Sequence, residues 1–214
     1  MIEIFKKNLR QAVAQYGLPT KPFMTQTPVY RVQESRYPDP VFYNADSDSR
    51  YGDPLKAIGV IYVACSDVTA VAETLQHGND GVNSPVLAAQ IEERSLHTLV
   101  TARTLRLVDA AELARNSGER LKAIVESRGQ GTEGYAYTRA LSSLVMRHEL
   151  QVDGILYPSQ VYPVTGSLAG CNLVLFAGRP DQLIAISKQP LIDLELSTGE
   201  TVGELLSRIR VPIA

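Results

Sequence analysis

Apolar positions along the chain recur with the 3.6-residue period of helices in some stretches and the two-residue period of strands in others. In MIEIFKKNLRQAVAQYGLP, Ile4 or Phe5, Leu9, Val13 and Tyr16 share one helical face, with Lys6, Lys7 and Arg10 elsewhere. This predicts a docked first helix within residues 1–20. A linker around Pro22 leads to TPVYRVQ, which alternates as a strand, and then to a long polar loop, ESRYPDPVFYNADSDSRYGDPLKA. Loops of that length inside a compact domain are usually functional or disordered, and the tyrosines and Phe42 favour an ordered binding loop. GVIYVACSDVTAVAETLQHG, from Gly59 to Gly78, reads as a buried strand running into a helix. Val68, Val71, Ala72 and Leu75 form the apolar stripe of that helix, and Glu73 falls off it, where periodicity assigns solvent.

Farther on, SPVLAAQIEERS predicts a short helix begun by a serine cap and a proline. HTLVTARTLRLVDA fits one long strand or two shorter ones, AAELARN and GERLKAIVES short helices, and YAYTRALSSLVMRHEL a longer helix. DGILYPS reads as a strand ending in a turn, and CNLVLFAG as an apolar strand buried on both faces. QLIAISK and LIDLELS add two possible strands, and TGETVGELLSRIR a C-terminal helix with a threonine cap. Strands and helices without regular βαβ alternation predict an α+β fold, a mixed sheet core flanked by helices, and the length predicts one domain over 1–214.

Composition narrows the function. With 44% hydrophobic and 21% charged residues the chain can bury one sizeable core, and a net charge of -2 with dispersed cations disfavours nucleic acid and anionic membranes as partners. No run approaches the length of a membrane span. Cys65 and Cys171 lie far apart in apolar runs without a CxxC partner, which predicts two buried thiols in a reducing cytoplasm rather than a disulfide or zinc site. His77, His97 and His148 lack metal-ligand spacing, so no metal is expected. Gly129, Gly131 and Gly134 form a GxGxxG, but a helical pattern precedes it where a dinucleotide fingerprint needs a strand, so it reads as a connector. The sequence has neither a P-loop nor a GxSxG elbow.

Outside the apolar stripes stand Tyr30, Arg31, Arg50, Tyr51, Tyr62, Glu73 and Ser159. Each alone has an ordinary structural explanation. Together they supply two cations, aromatic faces, a carboxylate and a hydroxyl, an inventory that suits a phosphate-bearing, ribosyl-containing ligand.

The segments YRV (30–32), SRYGDP (49–54), GVIYVACSDVTAVAETL (59–75), DGILYPS (153–159) and CNLVLF (171–176) carry a resemblance to the RES-domain family, in the family's order. The resemblance spans about Tyr30 to Phe176 and leaves the N-terminal helix (1–20) and residues 177–214 as extensions. Tyr51 stands where many members have Phe or Trp, and Arg139 replaces another polar residue. The resemblance implies a fold similar to ADP-ribosyltransferases and a cytoplasmic, NAD-degrading toxin of a bacterial toxin–antitoxin pair, cleaving the nicotinamide–ribose bond with phosphate or water as acceptor. It further implies NAD as substrate rather than cofactor, inorganic phosphate as a candidate co-substrate, and a cognate antitoxin as partner. By position, Glu73, Arg31 and Ser159 are the implied catalytic residues, and Tyr30, Arg31, Arg50, Tyr51, Tyr62 and Ser159 the implied substrate-binding residues. Two other functions stay open: transfer of ADP-ribose to a protein, and nucleotide binding without catalysis.

Overall fold

The strand periods resolve into eight strands, in a computed structural model that describes residues 2–76, 85–118, 134–162 and 166–214. They are β1 (Thr20–Phe23), β2 (Pro28–Glu34), β3 (Val60–Ala64), β4 (Arg94–Thr101), β5 (Leu105–Asp109), β6 (Gly154–Pro158), β7 (Cys171–Phe176) and β8 (Leu183–Pro190). One sheet holds them in the order β1-β5-β6-β7-β3-β2-β4-β8. Among these eight strands only β5 and β6 pair in parallel, so the sheet is mixed. Helices α1 (Ile2–Tyr16), α2 (Asp67–Gln76), α3 (Ala88–Glu92), α4 (Ala110–Asn116), α5 (Ala136–Met146) and α6 (Val202–Arg208) flank it, and the fold is α+β as the patterning predicts.

Strand parity divides the core. Val60, Val174 and Phe176 turn toward α1, α4 and α5, where Phe5, Leu9, Leu113, Leu141 and Val145 bury their side chains. The opposite face buries Ile61, Val63, Leu173 and Leu175 together with Phe23 of β1 and Leu99 of β4. Those two strands stand six places apart in the sheet order, so a cluster containing both requires the sheet to curl onto itself. The Thr101 hydroxyl at the end of β4 donates to the carbonyl of Met24, the residue after β1, at 2.7 Å and ties the two strands across the curl. A second cluster lies where α2 and α6 pack on β2 and β4, through Val68, Val71, Leu75, Leu205 and Leu206 against Val32 and Leu96.

Several expectations are corrected. The linker around Pro22 is strand β1: Pro22 lies opposite Arg106 on the sheet's outer edge, where a missing N–H breaks no ladder. Of the two readings left open for HTLVTARTLRLVDA, the structure has the two shorter strands, β4 joining β2 and β8 while β5 joins β1 and β6. LIDLELS adds no ladder strand. Leu191–Asp193 is a 3₁₀ turn, and Leu191, Leu194 and Leu196 are buried side by side in the α2–α6 cluster. The first helix, Ile2–Tyr16, lies within residues 1–20, but its buried face is Phe5, Leu9 and Ala12, and Ile4 and Tyr16 are exposed.

The N-cap of α3 is Leu87, whose N–H is accepted by the Gln90 side chain at 2.9 Å. The serine that sequence placed there, Ser84, lies outside the described residues, as do GERLKAIVES beyond Gly118, Gly129, Gly131 and His77. The C-terminal helix carries its predicted cap: Thr201 Oγ1 accepts from Glu204 N–H, and the Glu204 carboxylate accepts from Thr201 N–H. The two cysteines, distant in sequence, are opposed at the ends of β3 and β7, with Cys65 N–H donating to the Cys171 carbonyl at 3.0 Å. Both are free and half-buried, and burial pushes the Cys65 thiol up to about 12, which leaves it without thiolate character. No helix among the described residues is long and apolar enough to cross a membrane.

Candidate active site

A cavity of about 450 Å³ opens where β2, β3, the 35–59 loop and α2 meet. Tyr30, Arg31, Arg50, Tyr62, Glu73 and Asn172 are among its lining residues. Glu73 reaches it because α2 packs its stripe on the sheet while the polar side of its last turns faces a cleft instead of bulk solvent. A helical wheel shows the same pattern for both surroundings, so the solvent assignment from periodicity is corrected here.

Glu73 is held from behind. Ser159 Oγ donates to its Oε1 at 2.7 Å, and Asn172 Nδ2 donates to the same oxygen at 2.8 Å. Ser159 is buried, and its Oγ also accepts from Val161 N–H at 3.1 Å and Tyr162 N–H at 2.9 Å, the local turn expected of a serine after a strand. It is not among the cavity-lining residues, and its hydroxyl is directed at Glu73. The helix itself is pinned at its first turn, where Ser66 Oγ and Thr69 Oγ1 each donate to the Ala169 carbonyl at 2.7 Å.

The lining also carries two cations. Arg31 on β2 donates through Nη1 to the Pro40 carbonyl at 2.8 Å, and burial holds its guanidinium below the usual value, with nearby Asp39 opposing that shift. Arginine stays charged despite such a shift. Arg50 donates through Nη2 to Gln160 Oε1 at 2.7 Å. Neither makes an ion pair among the described residues, so each retains donors for an anion in the cavity.

The tyrosines separate. Tyr30 and Tyr62 line the cavity, and burial raises both hydroxyls, that of Tyr62 to about 12. The Tyr62 hydroxyl is occupied by the loop: it accepts from Tyr51 N–H at 2.9 Å and pairs with Ser49 Oγ at 2.8 Å. Tyr51 does not reach the cavity. It is 1% exposed and packs its ring on Tyr157 with centroids 4.6 Å apart, a core position. Arg139 lies outside the lining too, and fastens the loop by donating to the Ser49 carbonyl and to Asp48, each at 3.2 Å.

Asn172 is the residue sequence reasoning passed over. The signal was present: a strand buried on both faces carries a single amide, and a buried amide needs a partner. Among the described residues no three of His, Cys, Asp and Glu gather as a metal site. His97 is buried on β4, with burial, Lys188 and Arg31 lowering its pKa in spite of Asp39, and His148 caps the turn after α5.

A family model for the RES domain matches residues 28–198. The crystal structure of the M. tuberculosis MbcT–MbcA toxin–antitoxin complex contains a chain of the same fold, at a TM-score of 0.59 and 16% identity over 97% of each chain. No protein of curated function matches the sequence.

Proposed function

The chain belongs to the RES-domain family, and from that premise we propose that it is an NAD-degrading enzyme of the toxin type, which breaks the nicotinamide–ribose bond and passes the ADP-ribosyl unit to phosphate or water. The observation that supports this best is Glu73, a carboxylate fixed by two side-chain donors in a cleft that also holds two guanidiniums without carboxylate partners among the described residues.

Each part has a task in that reaction. As the C1′–N bond breaks, its electron pair moves onto the pyridinium nitrogen, which leaves neutral and needs no general acid. Positive charge builds on the ribose, and the Glu73 carboxylate stabilises it while accepting from a ribose hydroxyl. A phosphate oxygen, or a water that then releases its proton, forms the new bond to C1′. Arg31 and Arg50 hold the pyrophosphate or the incoming phosphate. The rings of Tyr30 and Tyr62 provide faces for a flat base. NAD is consumed here as a substrate. A cognate antitoxin is the proposed partner, by analogy with the toxin–antitoxin complex of the same fold.

The test is to incubate the purified protein with NAD, with and without inorganic phosphate, and to weigh the products. Nicotinamide with ADP-ribose 1″-phosphate identifies phosphorolysis, and nicotinamide with ADP-ribose identifies hydrolysis. ADP-ribose appearing on an added protein marks a transferase, and intact NAD under all conditions marks a binding module; either would overturn the proposal.

A further inference from the structure

The geometry points to Asn172 as a positioning residue that acts through Glu73, and to Glu73 Oε2 as the oxygen that meets the substrate; this rests on the reading of Glu73 as the carboxylate of the reaction. Both side-chain donors fall on one oxygen, Oε1, from Ser159 Oγ and Asn172 Nδ2. No group among the described residues donates to Oε2. A carboxylate only accepts, so the face of the Asn172 amide turned to Glu73 must be its NH₂. Saturating one oxygen fixes the plane of the carboxylate and leaves the lone pairs of the other directed at the cavity.

The arrangement is reinforced at the backbone. The short 3₁₀ turn Leu168–Gly170 delivers the chain to Asn172 at the start of β7. Its Ala169 carbonyl takes the two hydroxyls from the start of α2, and its Gly170 carbonyl takes the Ser159 N–H at 2.8 Å. Two successive carbonyls therefore clamp the segments that carry Glu73, Ser159 and Asn172, and Asn172 is 5% exposed within that clamp.

Steady-state NAD consumption by the full chain tests this. Asn172→Ala is expected to lower kcat about tenfold, as loss of one charge-assisted donor does, with KM within about threefold. Asn172→Asp is expected to be worse than Asn172→Ala, because it sets a second carboxylate at hydrogen-bond distance from the first. A packing role predicts the reverse order, since aspartate keeps the shape that alanine loses. In a Glu73→Gln background, Asn172→Ala should add less than about threefold, because residues that act as one unit are not additive. Asn172→Ser replaces the alanine variant if thermal unfolding shows that variant to be unfolded. Near-normal turnover by Asn172→Asp, or a full Asn172 effect in the Glu73→Gln background, would overturn the assignment. Failure of the underlying reading appears separately, as wild-type turnover by Glu73→Gln alone.

Discussion

Glu73, Ser159 and Asn172 come from a helix and from the ends of two central strands, and their positions follow from hydrogen-bonded ladders and from stripes packed in the core. Arg50, Ser49 and Asn44 line the cavity from the 35–59 loop, whose regular backbone pairing is one bridge, Asn44 to Val60. What replaces a ladder in the loop is a set of side chains that grip backbone. Arg31 holds Pro40, Arg139 holds Ser49, and the Tyr62 hydroxyl holds the Tyr51 N–H. Asp53 takes the N–H groups of Leu55, Ala57 and Ile58 and is closed by Arg147 at 2.7 Å. The contrast separates roles for the groups it compares: the ladder-borne Ser159 and Asn172 fix the reacting Glu73, and the loop carries the binding Arg50, while Arg31, Tyr30 and Tyr62 add binding groups from β2 and β3. Substitutions at the reacting groups should therefore act on kcat, and those at the binding groups on KM or stability.

Glu73→Gln breaks the contrast at its strongest point. The amide keeps the size of the side chain and removes the charge that opposes the ribosyl cation, so NAD turnover should fall by about 10²-fold or more while the unfolding midpoint stays within a few degrees. Progress curves with matched thermal scans measure both. Turnover near wild type would remove Glu73 from the chemistry.

The loop's anchor comes next. The Asp53 side chain is fully buried, and its guanidinium partner is about one-third exposed. Burial alone would raise the pKa of this carboxyl, but Arg147 and the three backbone N–H groups outweigh it and hold it below the ordinary carboxylate value. A lowered folded value means that the group stabilises above its unfolded pKa of about 3.9 and loses that contribution as pH falls through the folded value. Arg147→Ala should cost about 2 kcal/mol at neutral pH by leaving a buried carboxylate with backbone donors alone. Urea titrations should show the difference from wild type constant above pH of about 5 and shrinking below about 4, as Asp53 takes up a proton in both proteins. A difference that ignores pH would assign Arg147 a packing role instead.

Arg50→Lys sharpens the comparison from the binding side. Lysine keeps the charge but loses the planar fork that reaches Gln160 and a ligand oxygen together, so KM for NAD or phosphate should rise by about tenfold with kcat within a factor of about three. A fall in kcat at unchanged KM would move Arg50 to the reacting wall.

The ladder-borne wall was the more legible in sequence. The α2 stripe and the apolar run of β7 are periodic signals, and they place the backbone on which Glu73 and Asn172 sit. What Glu73 faces was not periodic information, and only the family's sequence blocks pointed to it. Strand β1 escaped because three of its four residues are exposed at a sheet edge, where no alternation is required. The loop's order was legible only as aromatic content, because its clamps join residues as distant as Asp53 and Arg147, 94 positions apart, and no local pattern encodes such pairs. Tyr51 was misplaced because a buried ring beside a cleft and a ring lining it look alike in sequence.

Tyr62→Phe has the smallest expected effect, and it separates the two walls within one side chain. The ring belongs to β3 and lines the cavity, whereas the hydroxyl belongs to the loop, through Tyr51 N–H and Ser49 Oγ. Phenylalanine retains the face available to a base and removes only one of the loop's attachments. A buried hydroxyl held by neutral partners contributes about 1 kcal/mol, so stability should fall by about that amount. The loosened loop carries Arg50, so KM should rise by about two- to fourfold while kcat stays within about twofold, because nothing that touches Glu73 has changed. Chemical denaturation and initial rates on the same preparation measure the three quantities together. A kcat that falls tenfold or more would mean that this hydroxyl reaches the reacting atoms, and the division between a reacting wall and a binding wall would fail at the residue where the two meet.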